Sequence, residues 1–121
     1  MNFKKLKFSL KCALRGLKLH CRENSFQLMI IISVLVLILG LILKLSYYEW
    51  LIIFLCFAFN LSLESINTVW EATFDYLEPK YSLSVKNIKD LIAASVLIVS
   101  FFSLIIGIII FVPKIIQFFQ N

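Results

Sequence analysis

The stretch ESINTVWEATFD, residues 64–75, directly follows the apolar run WLIIFLCFAFNLSL of residues 50–63. At about 100° per residue, its polar side chains share one face of a helix. This stripe consists of Glu64, Asn67, Glu71 and Asp75, with Asn60 one turn earlier. Polar residues inside a membrane helix are energetically expensive and usually mark a functional site. The stretch therefore predicts a membrane helix that carries a site on one face.

Two other segments can cross a membrane without any charge. Residues 24–43 and 91–113 contain no charged side chain, and each reaches the about 20 residues that span a hydrocarbon core. With 61% hydrophobic residues and a mean hydropathy of +0.95, the 121-residue chain is too apolar for a small soluble domain. We predict an all-α integral membrane fold, one domain over residues 1–121, with spans at about 25–45, 50–74 and 88–113.

Residues 3–22 predict an amphipathic helix that lies in the membrane interface. Its apolar face comprises Phe3, Leu6, Leu10, Ala13, Leu14, Leu17 and Cys21, and its basic face comprises Lys4, Lys7, Lys11, Arg15, Lys18 and Arg22. Such a helix buries its apolar face at the headgroup boundary, and its cations meet anionic lipids. It either serves only as an anchor and orientation signal, or some of its cations also face a phosphorylated ligand. A cleaved signal peptide is not expected, because no small-residue cleavage site follows.

The basic residues predict the orientation of the chain. Seven of the 12 precede the first span, and three more lie in the loop before the third, at Lys80, Lys86 and Lys89. Because excess Lys and Arg stay cytoplasmic, the N-terminus and the 76–90 loop are expected inside and the C-terminus outside. The three cysteines show no metal-ligand spacing and predict no disulfide.

This topology brings charged groups from three helices to one membrane level. Glu71 lies about 33 Å along the middle helix, near the cytoplasmic interface, and Glu64 lies about 10 Å deeper. Glu23 stands at the inner end of the first span, and Lys89 and Asp90 stand at the inner start of the third. We therefore expect the charged groups to converge at the cytoplasmic side, with one carboxylate buried below them.

The chemistry of these groups suits phosphoryl transfer to a lipid hydroxyl. Glu23 and Glu71 can share Mg²⁺, whose other positions are filled by phosphate oxygens and water. Lys89 offers a positive charge to a phosphate, and Asn67 offers an amide donor. Desolvation disfavours the charged form of Glu64, which suits a general base.

Simpler interpretations stay open at this point. Glu23 can pair with Arg22 or Lys89 at the interface, and Glu71 and Asp75 can be solvated charges at a helix end. These explanations do not fit Glu64 as well, because a carboxylate inside an apolar segment seldom persists without a partner or a function. A non-catalytic membrane scaffold or a small ion-transport subunit is the alternative for the whole protein. No GxxxxGK[ST] loop is present, and no nucleic-acid partner is predicted.

Two segments resemble a known family. ESINTVWEATFDYLEPKY followed by VKNIKDLIAASV resembles the signature of prokaryotic diacylglycerol kinases, E-x-x-N-[ST]-x-x-E-x-x-x-D and then K-D with small residues. GLKLHCRENSF resembles the family segment that ends in a metal-binding glutamate. The resemblance covers nearly the entire chain. It implies a homotrimer of three-span subunits in the bacterial inner (cytoplasmic) membrane, with sites between neighbouring chains, ATP as co-substrate and Mg²⁺ as cofactor.

The resemblance also implies a role for individual residues. Glu64 resembles the catalytic base, and Glu23 and Glu71 resemble the metal ligands. The family's nucleotide and phosphate positions fall on Asn67, Asp75, Tyr81, Ser82, Lys89 and Asp90. No residue is assigned to the lipid acceptor.

Departures from the family pattern bear on that acceptor, which is diacylglycerol in one branch and undecaprenol in the other. The segment before Glu23 is one residue short, Gln27 and Met29 replace a common Arg and a common Glu or His, and Lys80 replaces an acid. Trp70 is bulky where a β-branched residue is usual. The loop EPKY resembles the TPEY of the undecaprenol branch, so undecaprenol is favoured over diacylglycerol.

Overall fold

The computed structural model describes residues 2–78, 80 and 82–121, and this part of the chain forms four α-helices and no strand. They are α1 (Phe3–His20), α2 (Asn24–Leu43), α3 (Tyr47–Leu77) and α4 (Leu83–Gln120). The last three are long and apolar enough to cross a membrane, judged by length and composition. The prediction of an all-α chain with three membrane-spanning helices is confirmed.

Helix α1 forms where the amphipathic pattern predicts a helix, and it ends two residues earlier than expected. The side-chain oxygen of Asn2 accepts hydrogen bonds from the backbone N–H groups of Lys4 and Lys5, at 3.1 and 3.2 Å. This cap satisfies donors that a helix start otherwise leaves unpaired. No side chain of α1 is buried, so its apolar face is unpartnered within the chain. Its location in the membrane interface stays a prediction.

A tight turn joins α1 to α2 and is held by side chains. Gln27, one of the departures from the family pattern, donates from Nε2 to the backbone oxygen of Cys21 at 2.8 Å. The rings of His20 and Phe26 stack with their centroids 5.5 Å apart, and Phe26 is buried. The backbone N–H of Glu23 donates to the His20 oxygen at 2.9 Å. Gln27 therefore fixes the direction in which the chain enters the first span.

A second short turn makes α2 and α3 antiparallel neighbours. Lys44 has a φ of 57°, in the left-handed region that often ends a helix, and its N–H donates to the Gly40 oxygen. Ser46 and Glu49 then form a reciprocal capping box at the start of α3. Glu49 also forms an ion pair with Lys114 of α4 at 3.1 Å. The C-terminal ends of α2 and α4 are thereby joined to the N-terminal end of α3.

The packing of the long helices leaves most apolar side chains exposed. A small apolar core lies toward the end at which α2 meets α3, formed by Leu45, Ile53, Ile110 and Phe111. Within the described residues, no side chain is completely buried. Because lipid tails are as apolar as these side chains, such exposure suits a chain surrounded by lipid or by further copies.

Helices α3 and α4 are longer than the spans predicted at about 50–74 and 88–113. With 31 and 38 residues, they measure about 46 and 57 Å at 1.5 Å per residue. Both exceed the about 30 Å of a hydrocarbon core. Their ends therefore reach into the headgroup region or beyond it.

Gly40 marks the closest approach between α2 and α3. A Cβ atom at this position would lie 2.7 Å from Cη2 of Trp50 and 3.0 Å from Cδ1 of Leu45. We expect Gly40→Ala to lower the unfolding midpoint in detergent, because overpacking costs about 1–3 kcal/mol and the gain in helix propensity is only about 1 kcal/mol. Gly107→Ala is the matched control, since a Cβ there meets nothing within 4 Å. Equal shifts of the midpoint in both variants would contradict the tight contact.

Candidate functional site

The polar face of α3 divides into a buried part and an exposed part. Glu64 is 6% exposed and Asn67 is 7% exposed, and these are the buried polar side chains among the described residues. Glu71 and Asp75, which follow along the same face, are exposed. Glu64 and Glu71 lie seven residues apart, which is about 10 Å along the helix axis. The face thus runs from a buried carboxylate to exposed ones.

Glu64 is buried without a donor for its carboxylate. The hydroxyl of Thr68 donates to the backbone oxygen of Glu64 at 3.0 Å, and the side-chain oxygens have no hydrogen bond or ion pair with any other residue the structure describes. A buried carboxylate without donors carries an uncompensated desolvation cost. Its oxygens are consequently available to a proton that a bound ligand brings.

Asn67 has one paired and one unpaired side-chain atom. Its Nδ2 donates to Oε1 of Glu71 at 3.3 Å. Its Oδ1 is buried and has no hydrogen-bond partner among the described residues. Buried polar atoms are nearly always satisfied, so an orphaned acceptor is a position where a ligand donor fits. The unpaired atoms of Glu64 and Asn67 lie within one turn of each other on α3.

The C-terminal end of α3 and the N-terminal end of α4 are joined through two predicted site residues. Lys89 forms an ion pair with Asp75, and Asp90 pairs with Lys86 at 2.7 Å one turn away on α4. The structure therefore brings Asp75, Lys89 and Asp90 to the same end of the helix pair. The Lys89 ammonium has three donors, so the ion pair with Asp75 leaves donors for a further acceptor.

Glu23 forms no ion pair with this group among the described residues. It occupies the N-cap position of α2, is exposed, and makes no side-chain capping bond. The described residues contain no group of three or more His, Cys, Asp or Glu side chains arranged for a metal ion. Two carboxylates with phosphate oxygens still fit the oxygen-only preference of Mg²⁺, and Glu71 is exposed with a single 3.3 Å hydrogen bond from Asn67. The shared metal site of Glu23 and Glu71 stays a prediction.

Of the two predicted loop contacts, Ser82 and Tyr81, the structure describes Ser82. Ser82 is the N-cap residue of α4, half-buried, and its hydroxyl makes no capping hydrogen bond. It is positioned at the same end of α4 as Lys89. Tyr81 lies outside the described residues.

A cavity that the sequence analysis missed lies among the three long helices. It has a volume of about 530 Å³, its lining is predominantly apolar, and it includes Asn60 but none of the predicted site residues. Asn60 lies one turn of α3 from Glu64. The only signal in the sequence was a set of serines in otherwise apolar spans, Ser33, Ser100 and Ser103.

Asn60 differs from the other residues of the polar stripe because its side-chain amide is hydrogen-bonded within the protein. Its Nδ2 donates to Oγ of Ser103 at 2.7 Å and to the Cys56 backbone oxygen at 2.8 Å, and its Oδ1 accepts from the Ser100 hydroxyl at 3.1 Å. The amide is therefore satisfied by α4 and by its own helix. The stripe that is open to a ligand begins at Glu64.

Known proteins match this chain over a range that includes the whole candidate site. Residues 11–111 match the family model described as prokaryotic diacylglycerol kinase. The undecaprenol kinase of Bacillus subtilis (strain 168) is 40% identical over 92 residues, which are 76% of this chain and 75% of that protein. No solved structure matches the chain. The matched range of the family includes every predicted site residue, from Glu23 to Asp90.

Proposed function

The chain belongs to the prokaryotic diacylglycerol kinase family and is a membrane lipid kinase, and we propose that it transfers the γ-phosphate of ATP to undecaprenol. The observation that carries the proposal is the buried carboxylate of Glu64, which has no donor among the described residues and lies one turn from Asn60 in the wall of a predominantly apolar cavity. The 40% identical undecaprenol kinase supports the choice of acceptor. The alternatives of a scaffold or an ion-transport subunit find no support in these comparisons.

The cavity supports an acceptor with a plain hydrocarbon tail. An alcohol whose hydroxyl meets Glu64 can extend its chain past Asn60 into the space between α2, α3 and α4. The amide hydrogens of Asn60 and the hydroxyls of Ser33 and Ser100 are already donated within the protein. An ester carbonyl would find few donors there, whereas an isoprenoid chain needs none. This argument favours undecaprenol over diacylglycerol.

The proposed reaction assigns one task to each group on α3 and α4. Glu64 accepts the hydroxyl proton of the acceptor, the hydroxyl oxygen attacks the γ-phosphorus, and ADP leaves. Asn67 orients the acceptor through its unpaired Oδ1, which can accept the hydroxyl hydrogen before the transfer. Lys89 exchanges Asp75 for a phosphate oxygen, and Asp75, Asp90 and Ser82 stand at the nucleotide. Such positioning of reacting groups supplies much of the catalysis in phosphoryl transfer.

Mg²⁺ would be held by Glu71 and Glu23 and would neutralise charge on the phosphates. Both residues have exposed carboxylates, and the predicted orientation assigns both to the cytoplasmic side. Glu71 is linked through Asn67 to the Glu64 region.

We propose a homotrimer, because the exposed apolar faces and the unpaired Glu64 carboxylate of one chain need neighbours in a membrane. The same reasoning places part of each site at a subunit boundary. The basic α1, in this proposal, lies at the cytoplasmic face of the inner membrane.

The function is tested with the purified protein in lipid. Light scattering first measures the mass of the particle, and three chains per particle are expected. Given Mg-ATP, the protein should phosphorylate undecaprenol with a kcat/KM at least about tenfold above that for diacylglycerol, a difference of about 1.4 kcal/mol. Phosphate incorporation into extracted lipid is the measurement. A diacylglycerol preference would reverse the acceptor, and silence toward a panel of lipid alcohols by folded protein would refute the kinase. A fully active monomer would contradict the trimer.

The Mg²⁺ dependence of the rate distinguishes the proposed roles of Glu64 and Glu71. Glu71→Gln should raise the Mg²⁺ midpoint several-fold and slow turnover, because the amide binds a hard cation poorly. Glu64→Gln should lower kcat by about 10²–10⁴-fold and leave the midpoint unchanged, because the base acts on the hydroxyl proton. Glu78→Gln, at an exposed carboxylate beyond the end of α3, is the control. If the Glu71 variant keeps the parent midpoint, Glu71 is only an interfacial charge.

The proposed orientation is tested with native cysteines. Cys12 and Cys21 are exposed on and after α1, and a cytoplasmic α1 makes them reactive only from the inner side. A membrane-impermeant maleimide should label them in inside-out vesicles and leave them unlabelled in right-side-out vesicles. Cys56 lies half-buried within α3 and is replaced by alanine to remove its background. Labelling from the outer side would reverse the topology.

A further inference from the structure

Asn60 joins α3 to α4 through a polar cluster in the middle of the apolar helices. Its amide donates to Ser103 at 2.7 Å and accepts from Ser100 at 3.1 Å, and the second amide hydrogen goes to the Cys56 backbone oxygen. Ser100 and Ser103 lie three residues apart, so they share one face of α4. The side-chain hydrogen-bonding groups of the amide are thereby all used.

The position of this cluster makes it the element that defines how α3 lies along α4. Between lipid-solvated helices, apolar contacts distinguish poorly among alternative registers, because lipid tails replace any contact that is lost. An amide without a partner is costly there, since no water can satisfy it. Only one alignment of the two helices places Asn60 between Ser100 and Ser103.

Two further polar contacts between α3 and α4 follow the same alignment. Glu49 pairs with Lys114 near the outer end, and Asp75 pairs with Lys89 at the cytoplasmic end. Asn60 follows Glu49 by 11 residues, and Lys114 follows Ser103 by 11 residues. Toward the other end, Asp75 follows Asn60 by 15 residues, and Ser103 follows Lys89 by 14. The three contacts therefore describe one antiparallel register of two continuous helices.

The central contact is part-buried and involves no charged group, so salt screens it less than it screens the two ion pairs. The side chains of Asp75 and Lys89 are 70% and 29% exposed, and partly exposed ion pairs contribute little to stability. Glu49 and Lys114 also stand at an end of the helix pair. The Asn60 cluster lies between them, flanked by Ile53, Phe57 and Leu104 of the same cavity wall.

We propose that Asn60 is a positioning residue that sets the register of α3 against α4 and thereby fixes the separation between Glu64 and Lys89 along the helix pair. The inference rests on the proposed function for its effect on catalysis. A slip by one helical turn moves the two helices about 5.4 Å past each other. The base on α3 and the phosphate-binding lysine on α4 then no longer meet the same pair of reactants. Asn60 itself is bonded within the protein and does not contact the reacting atoms.

The kinetic test compares a disruption with its repair. Asn60→Leu keeps a side chain that branches at Cγ and removes the hydrogen bonds. It should lower kcat by about tenfold to a hundredfold with the KM values for Mg-ATP and lipid within about threefold. Asn60→Ser combined with Ser103→Asn exchanges the two side chains across the interface and should recover kcat. Ser103→Ala is a milder disruption with a smaller loss.

The control is Ser95→Ala. The Ser95 hydroxyl donates to the Ile92 oxygen of its own helix, at 2.6 Å, and Ser95 is not among the residues that line the cavity. It should leave kcat unchanged. If Asn60→Leu keeps the parent kcat, or if the exchanged pair fails to recover it while the protein remains assembled, the positioning role is wrong.

A second measurement tests the register without using activity. In a background with the three native cysteines replaced by alanine, Asp75→Cys and Lys89→Cys place one thiol on each helix where the structure pairs them. A short bismaleimide should cross-link them rapidly with Asn60 present, several-fold more slowly with Asn60→Leu, and rapidly again with the exchanged pair. Equal rates in all three proteins would overturn the proposed register. A parent protein without lipid kinase turnover would refute the proposed function, and the cross-linking rates would still decide the register.

Discussion

The cost of placing a carboxylate among apolar helices is the constraint on which the rest of the structure depends. Glu64 is buried on α3, and no residue that the structure describes donates to its carboxylate. A charged group in that setting persists only when a ligand or partner compensates it. Asn67 follows on the same face of the helix, and the exposed Glu71 and Asp75 lie beyond it. In the proposed function, this change from buried to exposed groups would let a lipid alcohol approach from the membrane and a nucleotide approach from water.

The sequence predicts the helices well, because uncharged runs of spanning length and a basic amphipathic segment are strong patterns. It predicts the ends of the helices less accurately. Helices α3 and α4 extend beyond the charge-free runs, since helix formation continues through charged residues once they reach water. The first turn depends on Gln27 and on the stacking of His20 with Phe26. Such contacts depend on the local backbone path, which periodicity does not reveal.

Some features of the candidate site can likewise be predicted from the sequence, and others cannot. The pattern of Glu64, Asn67 and Glu71 identifies the polar face, because residues on one helix have a fixed spacing. The pairing of Asp75 with Lys89 and the use of Asn60 against two serines depend on the alignment of separate helices. The sequence shows the serines, but it does not show which of them face α3. The cavity is missed for the same reason, because its walls come from three helices.

Helix α3 is continuous from Tyr47 to Leu77, and this continuity restricts how the protein can adapt to its substrates. Groups on one unbroken helix keep their spacing, so the separation between the buried acid and the exposed acids cannot adjust when substrates bind. No glycine or proline interrupts the helix, so it contains none of the residues that usually produce a kink. Any conformational change that the reaction requires is therefore expected in the elements that pack against α3, while α3 keeps its polar residues at a constant backbone spacing.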